Sequence, residues 1–279
     1  MRGGGSRRVN DEEGIRLARE TVAKIQAIDP DEGTADAWLA WFAFYYDFDL
    51  VTGAFHLQRM LMANPADAKH LRDSMQMLST LGYLDEAVAI GEYVVANDPL
   101  CTFCQYRLAR AYRLAGKLDD AEAAIHAALI LVDPGRYPIQ RDLGRVLALK
   151  GESQEALEVF KEAGHLEGVA VALYDLGRQE QFETVFSDFL EQSANVQPED
   201  VAYVYAWIGD ADAAFEYLEK QFEQQRSVLS RIVRYPVFNS LHEDPRWIKL
   251  LQKLGMSPEQ LAGIDFKLPP MPGINLNKQ

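Results

Sequence analysis

Apolar and small residues recur along the chain in one order. The segments LGYLDEAVAIGEYVVANDP, LAGKLDDAEAAIHAALILVDP, LKGESQEALEVFKEAG and WIGDADAAFEYLEK each carry a glycine followed five residues later by an alanine. The pairs are Gly82 and Ala87, Gly116 and Ala121, Gly151 and Ala156, and Gly209 and Ala214. Glycine lets the chain turn sharply after one helix, and alanine lets the next helix lie close to its neighbour. The pattern predicts antiparallel helix pairs, each too small to hide its own apolar face and ordered by stacking on the next.

The spacing narrows the architecture. Ala87 to Ala121 spans 34 residues, as does Pro65 to Pro99, and these prolines end each second helix because proline cannot continue the backbone ladder. That interval is the tetratricopeptide period. The expected fold class is all-α: a TPR-type right-handed superhelical solenoid of antiparallel helix pairs with a C-terminal helical cap. Repeats fall near 34–67, 68–101, 102–136, 137–162, 163–194 and 195–228. The fourth is short, since Gly151 to Gly177 spans 26 residues, and Phe182 stands where the small alanine belongs; altered packing or a bend is expected there.

Before the first full repeat, Ala18 precedes Pro30 by twelve residues, as Ala87 precedes Pro99, so residues 11–33 read as a second helix lacking its first. Such a half-repeat would expose an apolar face, which implies that the chain was cut from, or once continued into, a longer protein. The glycine-rich, basic opening at residues 1–10 reads as a flexible lead-in, and residues 229–279 as a cap followed by an extended, proline-rich tail.

Composition excludes several functions. The chain has 279 residues, 48% of them apolar, enough to fold without metal or disulfide support. A formal charge of −14 counts against nucleic-acid binding by bulk electrostatics, and no apolar run is long enough to span a bilayer. The two cysteines, Cys101 and Cys104, and the lack of a leader pattern point to a reducing cytoplasm. With no second cysteine pair, CTFC is expected to be structural, as small buried hydrophobes. The five histidines are scattered without a ligand-like pair, so no metal and no cofactor are expected. No nucleophile, base and orienting acid come together, so no catalytic residue is assigned.

The closing stretch from YVYAWIGDADAAFEYLEK through FNSLHEDPRW (residues 238–247) and residues 255–269 resembles the end of a bacterial family of tetratricopeptide regions. Those regions sit behind class III nucleotide cyclase domains or winged-helix, TolB-like regulatory modules. The middle segment DPLCTFCQYRLARAYRLAGKLDDAEAAI is similar to the same family. The resemblance implies a regulatory or scaffolding arm of a signalling protein. It implies no catalysis, because the cyclase's paired metal-binding aspartates have no counterpart here.

In a repeat array of this kind a ligand is expected on the concave face, made by the first helix of each pair. Trp38, Phe42, Tyr45 and Tyr46 concentrate there in the first repeat, and Lys69, Arg72, Arg110, Arg113, Arg141 and Arg145 fall on inner positions of the next three. Arginine forks with flanking rings suit an acidic segment or a C-terminal carboxylate. The alternatives are that the arginines pair with acids of neighbouring repeats and that the aromatics are core or end packing. Partner binding is the first functional expectation; self-association or an intramolecular regulatory contact is the second. In HEDPRW, Asp244 and Pro245 are expected to start a helix that places Trp247 and Leu250 on the last repeat.

Overall fold

The computed structural model describes residues 4–29, 33–131, 138–193 and 197–274, with side chains of 1–12 and 225–227 left aside. The described residues are all-α, without a strand. An opening helix, α1 (Gly4–Ile28), is followed by six helix pairs. These are α2 (Thr34–Phe42) with α3 (Leu50–Ala63), α4 (Ala68–Leu81) with α5 (Leu84–Asn97), and α6 (Thr102–Leu114) with α7 (Leu118–Leu131). Then come α8 (Ile139–Leu149) with α9 (Ser153–Ala163), α10 (Leu166–Asp175) with α11 (Gln179–Ser193), and α12 (Pro198–Ile208) with α13 (Ala211–Ile232). A 3-10 turn (Pro236–Leu241), α14 (Pro245–Leu254) and α15 (Pro258–Ala262) form the cap. Residues read as a flexible lead-in fall largely within α1 or outside the described residues.

The turn within each of four pairs follows from its glycine. Gly82, Gly116, Gly151 and Gly209 all have φ between 74° and 98°, the left-handed region in which a side chain is strained. The next residue then bonds back to a carbonyl in the last turn: the Tyr83, Lys117, Glu152 and Asp210 amides donate to Leu78, Tyr112, Leu147 and Tyr205, each at 2.9 Å. The partner alanines Ala87, Ala121, Ala156 and Ala214 are all fully buried at the helix contact. The first helices stack in series, α4 on α6, α6 on α8, α8 on α10 and α10 on α12.

The short fourth repeat is accommodated by a ring. Phe160 of α9, 1% exposed, packs against Gly144 of α8 and Gly168 of α10, whose missing side chains leave the space it fills. At Phe182, expected to alter the packing, the ring is buried, stacked on Phe186 at 5.3 Å and edge-on to Tyr174 at 5.5 Å. Helix α1 covers the face of α2 through Val22, Ala35 and Phe42.

The cap does more than extend the array. Helix α13 runs far enough to pack against residues 43–47 of the first repeat, and the 3-10 turn packs on α12. Arg234 donates through Nε to the Thr80 carbonyl at 3.0 Å, and the Lys267 amide donates to Gln58 Oε1 at 2.8 Å. Phe266 meets Tyr83 edge-on at 5.1 Å. The C-terminal segment therefore returns to the start of the array and touches repeats one and two. Phe238, Leu241, Trp247, Leu250, Leu254 and Met256 are all buried, each worth roughly 1.5–3 kcal/mol on full burial. Such a segment is a fixed part of the fold. Asp244 caps α14 as expected, accepting from the Arg246 amide at 2.8 Å, and Trp247 stacks on Phe238 at 6.1 Å between centroids.

Cys101 and Cys104, expected as separate small hydrophobes, are joined as a disulfide. Cys101 is the N-cap of α6 and Cys104 lies in its first turn, which brings their Cα atoms to 5.2 Å, within bridging range. No helix among the described residues is long and apolar enough to cross a membrane.

Candidate functional site

The arginines of α6 and α8 project inward because they are spaced three and four residues apart, Arg110 with Arg113 and Arg141 with Arg145, which keeps each pair on one helix face. The chain's own Tyr235 stands among them. Arg110 Nη2 donates to its hydroxyl at 3.0 Å, and the Arg113 guanidinium lies over its ring, 4.3 Å from the centroid. Arg145, 3% exposed, donates to Asp200 Oδ1 at 2.8 Å, lies 3.7 Å from Glu167, and covers the Tyr203 ring at 4.5 Å. Arg113, 1% exposed, is 3.7 Å from Asp142. Arg141 Nη1 is 3.5 Å from Asp200 Oδ2.

The cluster is a mixed network with positive character. Burial would raise the Tyr235 phenol, yet Arg110, Arg113 and Arg145 draw it down to about 8. Burial pushes Tyr203 up to about 12, and burial with Asp142 does the same for Tyr106. Burial and the neighbouring Asp200 hold the Glu199 carboxyl above its usual range. Burial opposes ionisation of Asp142, but Arg113, Arg110, Arg145 and Arg141 outweigh it and lower its pKa.

Beside this network is a recess of about 180 Å³ lined by Arg110, Arg141, Arg145, Arg231, Glu199, Asp200, Tyr203 and Tyr235. Two of its arginines, Arg141 and Arg145, have buried Nε groups with no hydrogen-bond partner among the described residues. A buried donor without an acceptor costs about 1–3 kcal/mol, so an anionic group reaching these atoms would be favoured.

The structure brings four of the six basic candidates together and leaves two apart. Lys69 is exposed, and Arg72 pairs with Asp73 at 3.2 Å beside the Phe103 ring. The aromatic candidates divide for a backbone reason. Residues 43–47 form a π-helical turn that ends at Phe48, with φ 56°. The wider turn carries Tyr45 into the core, 2% exposed with its hydroxyl 3.4 Å from Thr80 Oγ1, and leaves Tyr46 44% exposed. Phe42 is buried against α1, whereas Trp38 is 45% exposed and stands 6.1 Å from Phe42. Tyr203, Asp200, Tyr235 and Arg231 were not among the sequence candidates. Asp200 and Tyr203 share the inner-face spacing of the arginines, but nothing periodic marks Tyr235, which arrives from outside the repeats. Among the described residues no group of three or more His, Cys, Asp or Glu is placed to hold a metal ion.

No family model matches the chain, and no curated protein matches it. Among solved structures it is similar to YrrB, described as a TPR protein with an unusual peptide-binding site, at 18% identity and TM-score 0.41 over 64% of this chain and 97% of that one. It is also similar to a tetratricopeptide repeat protein from Parabacteroides merdae at 17% identity and TM-score 0.47, covering 82% and 97% of the two chains. A third similar structure is Naa15/Naa10 bound to HypK-THB, at 20% identity and TM-score 0.38, where the match covers 79% of this chain and 37% of that one.

Proposed function

We propose that the chain is a protein-interaction module that holds an acidic partner segment, through a side-chain or C-terminal carboxylate, at the recess between α6, α8 and α12, with no catalysis of its own. The observation that carries this reading is the pair of buried, unfilled Nε donors of Arg141 and Arg145 beside a recess of about 180 Å³. Each charge-assisted hydrogen bond formed there is worth about 1.5–3 kcal/mol when sheltered. Trp38, Tyr46 and Lys69, exposed away from the cluster, offer further contact area to a long partner. The resemblance of the closing stretch supports a regulatory arm of a signalling protein.

The test is fluorescence anisotropy with a labelled ten-residue glutamate-rich peptide, comparing the wild-type chain with Arg141→Glu. Arg141 suits this because its side chain is 27% exposed, so reversal disturbs packing less than at Arg145. At least tenfold weaker capture with unchanged helical content is expected. Equal capture by both chains removes the proposal.

A second reading is favoured by one feature: the chain's own Tyr235 already stands on the arginine face. In that reading the concave side serves the protein itself, as an intramolecular regulatory contact or in self-association. Light scattering that stays monomeric across a hundredfold concentration range would count against the self-association form.

A further inference from the structure

A cavity of about 300 Å³ lies between the solenoid and the cap. Leu84 and Leu114 line it from the repeats, and Trp247 and Met256 from the cap. A second cavity of about 140 Å³ borders Gly82, Tyr83 and Phe266 and shares Leu261 with the first, so the two adjoin. At roughly 30 Å³ per water-sized unit, the larger one admits about ten non-hydrogen atoms. Its lining is mostly apolar, so its occupant should be too.

Among the described residues one arginine and no lysine lines this space. Arg234 contributes its Nε to the Thr80 carbonyl, which sets the guanidinium against Gly82, where α4 ends. The helix terminus supplies only about half an elementary charge of compensation. Among the described residues no carboxylate lies within 4 Å of Arg234, and its Nη groups make no hydrogen bond there. Arg113 and Arg145, by contrast, each have acids at hand. Burial lowers the Arg234 pKa, and no acidic neighbour offsets that shift. His242, also on the lining, is held below its usual range by burial and so adds no second charge at neutral pH.

We propose that this cleft binds a small amphipathic monoanion, a medium-length apolar chain or ring ending in a carboxylate that pairs with Arg234. The apolar body would lie between Leu84, Leu114 and Trp247, and the carboxylate would accept from the free Nη groups. Its lining shares no residue with the arginine recess, although Arg234 also borders a groove with Arg110 and Arg231, which line that recess.

The probe is sodium octanoate, titrated calorimetrically into the full chain and compared with octanol and octylamine. Octanoate should bind at least tenfold more tightly than either and should change the Trp247 fluorescence, a response lost in Trp247→Phe. Arg234→Gln should abolish the preference for the anion. Leu84→Trp, which fills the cleft without altering its charge, should abolish binding altogether and keeps the test decisive if Arg234→Gln fails to fold. Octanol binding as tightly as octanoate, octanoate binding retained in Leu84→Trp, or no binding of octanoate would each overturn the proposal.

Discussion

Replacing Gly168 with alanine tests how the short fourth repeat is packed. In an exposed helix interior this change would stabilise by roughly 0.5–1 kcal/mol, because glycine loses more backbone entropy on folding. Here an added Cβ would lie 2.1 Å from Phe160 Cδ1 and 2.3 Å from Cε1, far inside contact distance. The ring has little room to shift, because it is fully buried and also lies close against Gly144, where an ideal Cβ would fall 2.5 Å from Cε1. Overpacking costs typically 1–3 kcal/mol, and a ring driven out of its site forfeits about 3–5 kcal/mol of burial. We expect Gly168→Ala to destabilise by about 3 kcal/mol in equilibrium urea unfolding. Adding Phe160→Leu should recover part of the loss, with a coupling of at least about 1 kcal/mol in the double-mutant cycle. Gly14→Ala, where nothing lies within 4 Å, is the control and should be neutral or stabilising. If Gly168→Ala is as stable as wild type, or if the two changes simply add, the packing argument is wrong.

The arginine cluster makes two further predictions. Ultraviolet difference titration should detect one phenolate forming near pH 8, absent in Tyr235→Phe, because three arginines draw that group to about 8; no phenolate below pH 9.5 would refute it. As an unfolded tyrosine titrates near 10, this group's contribution is fully present above that pH and is lost as pH falls through about 8. Arg145→Ala should cost about 3–5 kcal/mol, since it strands Asp200 and Glu167 as buried carboxylates. Adding Asp200→Asn should restore part of that, and a loss below 1 kcal/mol would show that the network does not stabilise the fold.

The repeats were legible because their chemistry is local. A glycine that must adopt positive φ and an alanine that must admit a neighbouring helix recur at fixed offsets, and the structure places both where the spacing puts them. The inner-face arginines were legible from three- and four-residue spacing alone. Pairing with acids of neighbouring repeats was anticipated and is found at Arg113, Arg141 and Arg145, but Tyr235 was not, because it reaches Arg145 from 90 residues away along the chain. The π-turn at residues 43–47 also escaped, since a regular helical period places Tyr45 and Tyr46 one step away from where the wider turn carries them. Least visible was the path of the segment after α13. Phe266 meeting Tyr83 leaves no periodic trace, and nothing in a nearest-neighbour view of repeats calls for it.

That closure distinguishes this chain from an open array, in which each repeat touches only its neighbours. Native-state hydrogen exchange on Phe266→Ala tests it directly. Phe266 is 7% exposed and contacts Tyr83, so its loss should speed exchange in α4 and α5 by tenfold or more while α8–α11 stay protected. Exchange altered only within residues 233–274, with α4 and α5 as slow as in wild type, would contradict a C-terminal segment that packs on repeats one and two as part of the fold.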